Sequence, residues 1–378
     1  MRIFLHIGAE KTGTSSLQQF FKLNRKKLKS ASILYSEVAG PESHTALAAA
    51  AEAIGKFDDL RVLRGLNSPG AIREFRTNLS RMLSDEVRSA GCENVIFSSE
   101  HLSSRLISIP EIETLANMLR PMAESITVVV YLRRQDDFLC STYSTDVKSG
   151  FTGPMSIPGD GIRQSRYNYY ALLERWTAVF GRQNMVCRIY EKSRLKNGDL
   201  VDDFAELIGL PVGDAYERPA RINESLDVAA LEFLRLFNAI VPKLKEDKLN
   251  PARGNIVQTL QKISHGPGPT LPEAQLSEFM RHFERSNRKV ALEYFGAVHE
   301  TGDPLFGEAD FGQNRALLQP LTAEKAVALA AGLWERKQEQ TNRLAERIGR
   351  LQKRNSGVRT AEVMENRRLI AEAVEAEA

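Results

Sequence analysis

A glycine-bracketed loop near the N-terminus, Gly8-Ala9-Glu10-Lys11-Thr12-Gly13-Thr14-Ser15-Ser16, constrains this chain more than any other segment. Residues 2–7 before it read as a short, partly apolar strand, and Leu17, Phe20, Phe21 and Leu28 after it recur at helical spacing. Strand, loop and helix in that order build an anion site, because the first backbone N–H groups of the helix and its positive dipole end point at what the loop holds. Thr14, Ser15 and Ser16 add hydroxyl donors. The alternative is that these hydroxyl residues only cap the helix, a task Ser and Thr favour.

The lysine decides which anion. A Walker A loop, G-x-x-x-x-G-K-[ST], puts lysine after the second glycine to reach the β- and γ-phosphates and a hydroxyl after it for magnesium. Here Gly8 and Gly13 keep the spacing, but Thr14 stands in the lysine position and Lys11 carries the charge inside the loop. Such a loop cradles an anion and is poorly built to grip a triphosphate with its metal.

Bulk properties exclude several classes. With 51 Lys and Arg against 48 Asp and Glu, the formal charge is +3, far from the global charge of a nucleic-acid protein, so local basic groups must carry anion recognition. Cys92, Cys140 and Cys187 are isolated, without metal-ligand spacing, and suit a reducing compartment. No stretch reaches membrane-spanning length and none resembles a signal peptide, so the expectation is a cytoplasmic protein with no membrane span, no bound metal and no nucleic-acid partner.

Short apolar strands at 2–7, 33–35, 94–98, 125–132 and 185–190 alternate with helical patterns at 72–88, 110–119, 169–180 and 200–207. This predicts an α/β fold with a P-loop-like core, a mainly parallel sheet flanked by helices. Residues 126–132 are almost continuously apolar, as in a strand buried on both faces, and are expected at the centre of the sheet. Past Pro211 the strand signal fades into a helical C-terminal region, with helices at 224–239 and 272–295 and a long one from 322 to about 353. The charged, alanine-rich residues after Gly357 read as a loosely ordered tail. Three regions follow: a core at 1–225, a helical acceptor-side region at 226–320, and a long helix with its tail at 321–378. The apolar stripe Leu344, Ile348 and Leu351 is a candidate oligomerisation surface.

The strand at 125–132 runs into Arg133-Arg134-Gln135-Asp136-Asp137-Phe138-Leu139-Cys140-Ser141-Thr142-Tyr143. Ligands of open α/β sheets bind outside the carboxyl ends of the strands, so Arg133 emerges on the edge that also presents the glycine loop. On a helix, Asp137 and Ser141 lie one turn apart, and Arg133 and Ser141 can reach one anionic group. The competing reading is an Arg133–Asp137 salt bridge with Ser141 as a packing residue.

Together these segments resemble the sulfotransferase family that uses 3′-phosphoadenosine 5′-phosphosulfate (PAPS) as donor, and the softer motifs are similar to its bacterial carbohydrate or polysaccharide branch. Lys11-Thr12-Gly13-Thr14-Ser15 resembles the 5′-phosphosulfate loop, and Arg133 with Ser141 resembles the 3′-phosphate clamp. The resemblance implies that Lys11 contacts the phosphosulfate near the bridging oxygen and that Thr12, Gly13, Thr14, Ser15 and Ser16 hold the 5′-phosphate. Tyr190, in Ile189-Tyr190-Glu191-Lys192, is similar to a tyrosine near the adenine in cytosolic members. The Arg-Lys-Gly loop of those members is missing, and Arg221 in Arg221-Ile222-Asn223-Glu224-Ser225 is a candidate substitute. By this resemblance PAPS is a co-substrate, no metal is needed, and the acceptor is a small molecule or polysaccharide carrying a hydroxyl, or less readily an amine.

A base should remove the acceptor proton. Val95 to Leu102 places Glu100 and His101 just past a strand, and both are candidates: imidazole titrates near neutral pH, whereas the carboxylate needs tuning or good geometry, or else orients His101. A Glu-His pair that merely caps the next helix is the bland alternative. His44, in Gly40-Pro41-Glu42-Ser43-His44, is a candidate acceptor contact, although a surface-loop histidine is the commoner case. His6 reads as structural, and His265, His282 and His299 have no sequence neighbours that suggest chemistry. Two rival functions stay open: an atypical P-loop kinase or NTPase, and a non-catalytic nucleotide-binding module.

Overall fold

A computed structural model describes residues 1–159, 161, 165–219, 226–245, 248–296, 305–307 and 315–376, with side chains to 352 apart from residue 249. Five strands, β1 (Arg2–His6), β2 (Ile33–Tyr35), β3 (Asn94–Ser98), β4 (Ser125–Leu132) and β5 (Met185–Ile189), form one sheet in the order β2-β3-β1-β4-β5. Every neighbouring pair is parallel; Arg2 lies beside Asn94 and Ser125, and Leu132 beside Ile189. Parallel strands present all their carboxyl ends on one edge. The chain leaves β1 toward β2 on one side and later crosses to β4 on the other, which places the topological switch point next to β1, where open sheets open a crevice.

The middle position belongs to β1 rather than to β4, which is interior between β1 and β5. The apolar run of β4 reports burial on both faces, and any interior strand meets that condition: Val128 to Leu132 are all fully buried. On one face Phe4, Ile96, Val129 and Tyr131 pack against Leu17, Phe20 and Phe21 of α1 (Thr14–Leu23), with Phe204 alongside.

The helices that position the site follow in order: α2 (Pro69–Ala90), α3 (His101–Arg105), α4 (Ile109–Leu119), α5 (Gln135–Lys148), α6 (Tyr169–Phe180), α7 (Leu200–Leu207), α8 (Glu273–Arg281) and α9 (Glu284–Tyr294). Their ends are written in the sequence. The Ser68 side chain caps α2 with Pro69 at its first turn and Gly91 in the left-handed region after it, and Ser108 with Glu111 forms a capping box on α4. The stretch 272–295 is two helices, α8 and α9, rather than one. The C-terminal helix runs Ala323–Ala376, through the segment expected to be a loose tail, because its Ala- and Glu-rich composition has high helix propensity.

Two compact units emerge: one of Met1–Thr145, Pro154–Asn223 and Pro269–Arg315, containing the sheet, and one of Asp146–Gly153, Glu224–Gly268 and Ala316–Ala378. In the second, Asn238 of the helix Val228–Ile240 donates to the carbonyls of Val147 and Phe151 at 2.7 and 2.9 Å.

Candidate active site

The glycine loop closes β1 onto α1 through three residues with positive φ: Gly8 (51°), Lys11 (67°) and Gly13 (77°). A Cβ on Gly8 would lie 2.8 Å from Thr14 Cγ2 and 3.3 Å from Glu100 Cα, so only glycine lets the loop sit against the segment after β3. Gly13 is the N-cap of α1 and no side chain caps the helix. The amides of Ser16 and Leu17 turn back to the Gly13 carbonyl at 3.0 and 3.3 Å, while those of Thr14 and Ser15 precede any intrahelical acceptor. Capping is therefore not what these hydroxyl residues do. Ser15 and Ser16 are exposed at the helix start. Thr12 and Thr14 are buried, and the Thr12 hydroxyl donates to the Ala9 carbonyl at 2.6 Å, so its side chain holds the loop's shape.

Lys11 is a non-glycine residue in the left-handed region, a conformation costing about 1–2 kcal/mol. Two contacts from distant sequence hold it. Arg133 Nη1 donates to the Lys11 carbonyl at 2.6 Å, and Lys11 Nζ donates to Thr145 Oγ1 at 2.7 Å. Arg133 leaves the end of β4, its Nε 3.9 Å from Asp137 Oδ2. Asp137, Ser141 and Thr145 are successive residues at four-residue spacing on α5 and so share one face. Ser141 is thus the middle of a row whose ends are tied to Arg133 and to Lys11, and the Thr145 hydroxyl donates to the Ser141 carbonyl at 3.3 Å. The Arg133–Asp137 salt bridge exists, but it accompanies this closure rather than replacing it.

Tyr190 follows β5, its amide on the Leu132 carbonyl at 2.8 Å. A Cβ on Gly13 would come within 3.0 Å of its hydroxyl, and the Arg133 guanidinium carbon lies 5.8 Å from its ring centroid. Tyr190 therefore spans the gap between loop and clamp. Around them, Tyr169 donates to the Arg133 carbonyl at 2.6 Å, Arg315 pairs with Asp137, and Arg166 pairs with Glu10 of the loop.

Glu100 does not cap α3 with its carboxylate. Gln18 Nε2 of α1 donates to Glu100 Oε2 at 2.9 Å, which turns the carboxylate toward the helix that carries the loop. His101 is half-buried, its amide bonded to Ser99 Oγ at 3.3 Å, and its Nδ1 is buried without a hydrogen-bond partner among the described residues.

The other predicted histidine is placed differently. His44 is fully buried rather than on a surface loop: its Nδ1 accepts from the Ser98 amide at 3.0 Å, and its ring lies 4.4 Å from that of Tyr35, offering no exposed edge to an acceptor. Burial pushes its pKa down to about 3, with the charge of Arg25 adding to the effect. His6 is equally buried, bonded to Ser98 Oγ at 2.8 Å and lowered by burial to about 3, in keeping with a structural role. Both keep the neutral form. Arg221 lies outside the described residues.

Sequence reasoning missed Thr145, Gln18, Arg315 and Arg166. Thr145 was findable as the next residue on the Asp137–Ser141 face, and Gln18 as the residue one turn after Thr14. Arg315 and Arg166 carry no local signal. Among the described residues no group of three His, Cys, Asp or Glu is placed to hold a metal ion, and no helix is long and apolar enough to cross a membrane.

No family model matches the chain. An uncharacterized protein of Archaeoglobus fulgidus is 28% identical over 178 residues, 46% of this chain and 47% of that protein, so the match spans about half the relative's length. The crystal structure of a sulfotransferase from Alicyclobacillus acidocaldarius is similar over 63% of this chain and 94% of its own, at 17% identity and a TM-score of 0.34. A likeness that distant leaves function to be argued from the site.

Proposed function

We propose that this protein is a PAPS-dependent sulfotransferase acting on a hydroxyl, with a carbohydrate as acceptor. The observation that carries the reading is the closure of Lys11 onto Arg133 and onto the α5 face of Ser141 and Thr145. It joins two anion-binding groups at one sheet edge: the amides at the start of α1, and an arginine with a serine across from them. A donor with a 5′-phosphosulfate and a 3′-phosphate needs two such groups. A triphosphate needs one continuous cradle with a lysine where this chain has a buried Thr14.

In the proposed reaction the acceptor oxygen attacks sulfur as its proton passes to the base. An O–S bond forms, the bond from sulfur to the bridging oxygen breaks, and adenosine 3′,5′-bisphosphate leaves with the electron pair. Lys11 and the loop amides meet the charge that builds on the leaving phosphate, an electrostatic role of the oxyanion-hole kind. Glu100 is the first candidate for the base because its carboxylate is fixed by Gln18 beside the loop. His101 is the second.

Thermal unfolding with each nucleotide tests the reading. Adenosine 3′,5′-bisphosphate at about 100 times its dissociation constant should stabilise the fold by about 2.7 kcal/mol, and ATP with Mg²⁺ should not. Stabilisation by ATP with Mg²⁺ alone would move the assignment to the kinase class, and stabilisation by neither would discard a nucleotide site.

A further inference from the structure

A second site-like feature lies within the same compact unit, on the other side of the segment 165–170. This segment has two faces. Arg166 pairs with Glu10 of the glycine loop, and Tyr169 donates to the Arg133 carbonyl at 2.6 Å. The residues between and beside them, Ser165, Asn168 and Tyr170, line a cleft of about 430 Å³ whose opposite wall is the start of α9. That volume falls in the range of small-molecule sites, about 300–1,000 Å³. One backbone segment thus borders the anion site and the cleft.

The cleft is cationic. Arg285 and Lys289 lie one turn apart on α9 and both line it, together with His282, which stands between α8 and α9. Arg285 has no carboxylate partner among the described residues. Glu284 opens α9 beside Arg285, and the further acid Glu293 is already engaged: Arg182 Nη2 pairs with it at 2.7 Å and the Tyr170 hydroxyl donates to it at 3.1 Å. The charge of Glu293 is thus offset before any ligand arrives. Ser165, Asn168 and Ser286 line it beside the cations; Asn168 Oδ1 accepts from the Ala171 amide at 3.1 Å and the Ser286 hydroxyl donates to the Phe283 carbonyl at 3.0 Å, which leaves the Asn168 amide nitrogen as a donor and the Ser286 oxygen as an acceptor for the hydroxyls of an anionic sugar.

We infer that this cleft binds an acidic saccharide, a sugar carrying carboxylate or sulfate groups, and that this is the acceptor; the acceptor role rests on the sulfotransferase reading, whereas the binding does not. A nucleic acid fits less well. Single strands are held by free aromatic faces along a basic groove. Here the Tyr170 ring is covered by Lys289 Nζ at 4.6 Å from its centroid, and the buried Phe283 is occupied by Tyr167 and Phe279.

The test is calorimetric binding to the full chain of a uronate tetrasaccharide, its carboxyl-reduced neutral counterpart and a single-stranded oligonucleotide, each at low and raised salt. The uronate should bind, weaken as salt screens the cations, and lose about tenfold or more in affinity in the double variant Arg285→Glu, Lys289→Glu. Stabilisation by adenosine 3′,5′-bisphosphate should be unchanged in that variant, because neither residue touches the loop or the clamp. Equal binding of the neutral saccharide, an unaffected double variant, or tighter binding of the oligonucleotide would each overturn the inference. Uronate binding without any bisphosphate response would keep the cleft and remove the donor reading; a bisphosphate response without uronate binding would do the reverse.

Discussion

Two polar clusters flank the carboxyl end of β1, and they differ in what water can reach. On the β3 side, His6, His44 and Ser98 are fully buried and bonded to one another and to backbone. Around the glycine loop, Lys11, Arg133 after β4 and Glu100 after β3 are only partly buried, and their bonds hold the loop while leaving charged atoms at the surface. Desolvation drives the first cluster to neutrality, which suits a strut. The second holds Lys11 and Arg133 where water reaches them, which suits recognition of an anion. The same residue types that suggest chemistry in a sequence thus do structural work where the fold shuts out water and candidate chemistry where it does not.

The largest effect should come from the base. Glu100→Gln is expected to lower sulfuryl transfer by about 100- to 10,000-fold while bisphosphate binding persists, whereas His101→Asn should cost less. Single-turnover rates for both variants decide between them; a larger loss at His101 would reverse the roles and leave Glu100 as its orienting partner.

Next in size is the clamp. Arg133→Ala removes the hydrogen bond that holds the Lys11 carbonyl and, on the proposed function, a charged donor to the 3′-phosphate, so the affinity for adenosine 3′,5′-bisphosphate should fall by about 10- to 100-fold. Comparison with adenosine 5′-phosphate, which lacks the 3′ group, separates these contributions. If Arg133→Ala weakens both nucleotides equally, the arginine supports the loop and does not bind the 3′-phosphate.

The smallest effect concerns the sealed side. Burial lowers His6 and His44 from the ordinary imidazole value of 6.5 to about 3 in the folded chain, so the unfolded chain binds more protons between those values. Their stabilising contribution is present above pH 6.5 and is lost as pH falls toward 3, at about 1.4 kcal/mol per pH unit for each histidine. Glu52, raised by burial and by Asp58 to about 7, acts in the opposite sense: its contribution is present below 4.5 and lost as pH rises through 7. Differences between variants isolate the histidines. His44→Asn should flatten the pH dependence of denaturant unfolding between pH 6 and 5 by one proton's worth; an unchanged slope would mean that the His44 ring is solvated.

Periodicity and end signals made most of the fold legible. Alternating strands and helices gave the α/β class, and the helices read at 169–180 and 200–207 fall at Tyr169–Phe180 and Leu200–Leu207. The order of strands was not legible, since a run such as Val128 to Leu132 reports burial on two faces and not which interior position is occupied. At the site, Lys11, Arg133 and Ser141 were readable because loop and helix spacings are local. Arg315 and Arg166 were not, because they reach Asp137 and Glu10 from 178 and 156 residues away.

By itself the sequence determined a glycine-bracketed loop between a first strand and a helix, with a displaced lysine and a serine in register with an arginine; these follow from short-range spacing and the left-handed backbone that glycine permits. Only the tertiary structure decided that Lys11 closes onto Arg133 and Thr145, that Gln18 aims Glu100, and that His44 is sealed. Those outcomes depend on how parallel strands bring their carboxyl ends to one edge and on which side chains the packed helices shut away from water.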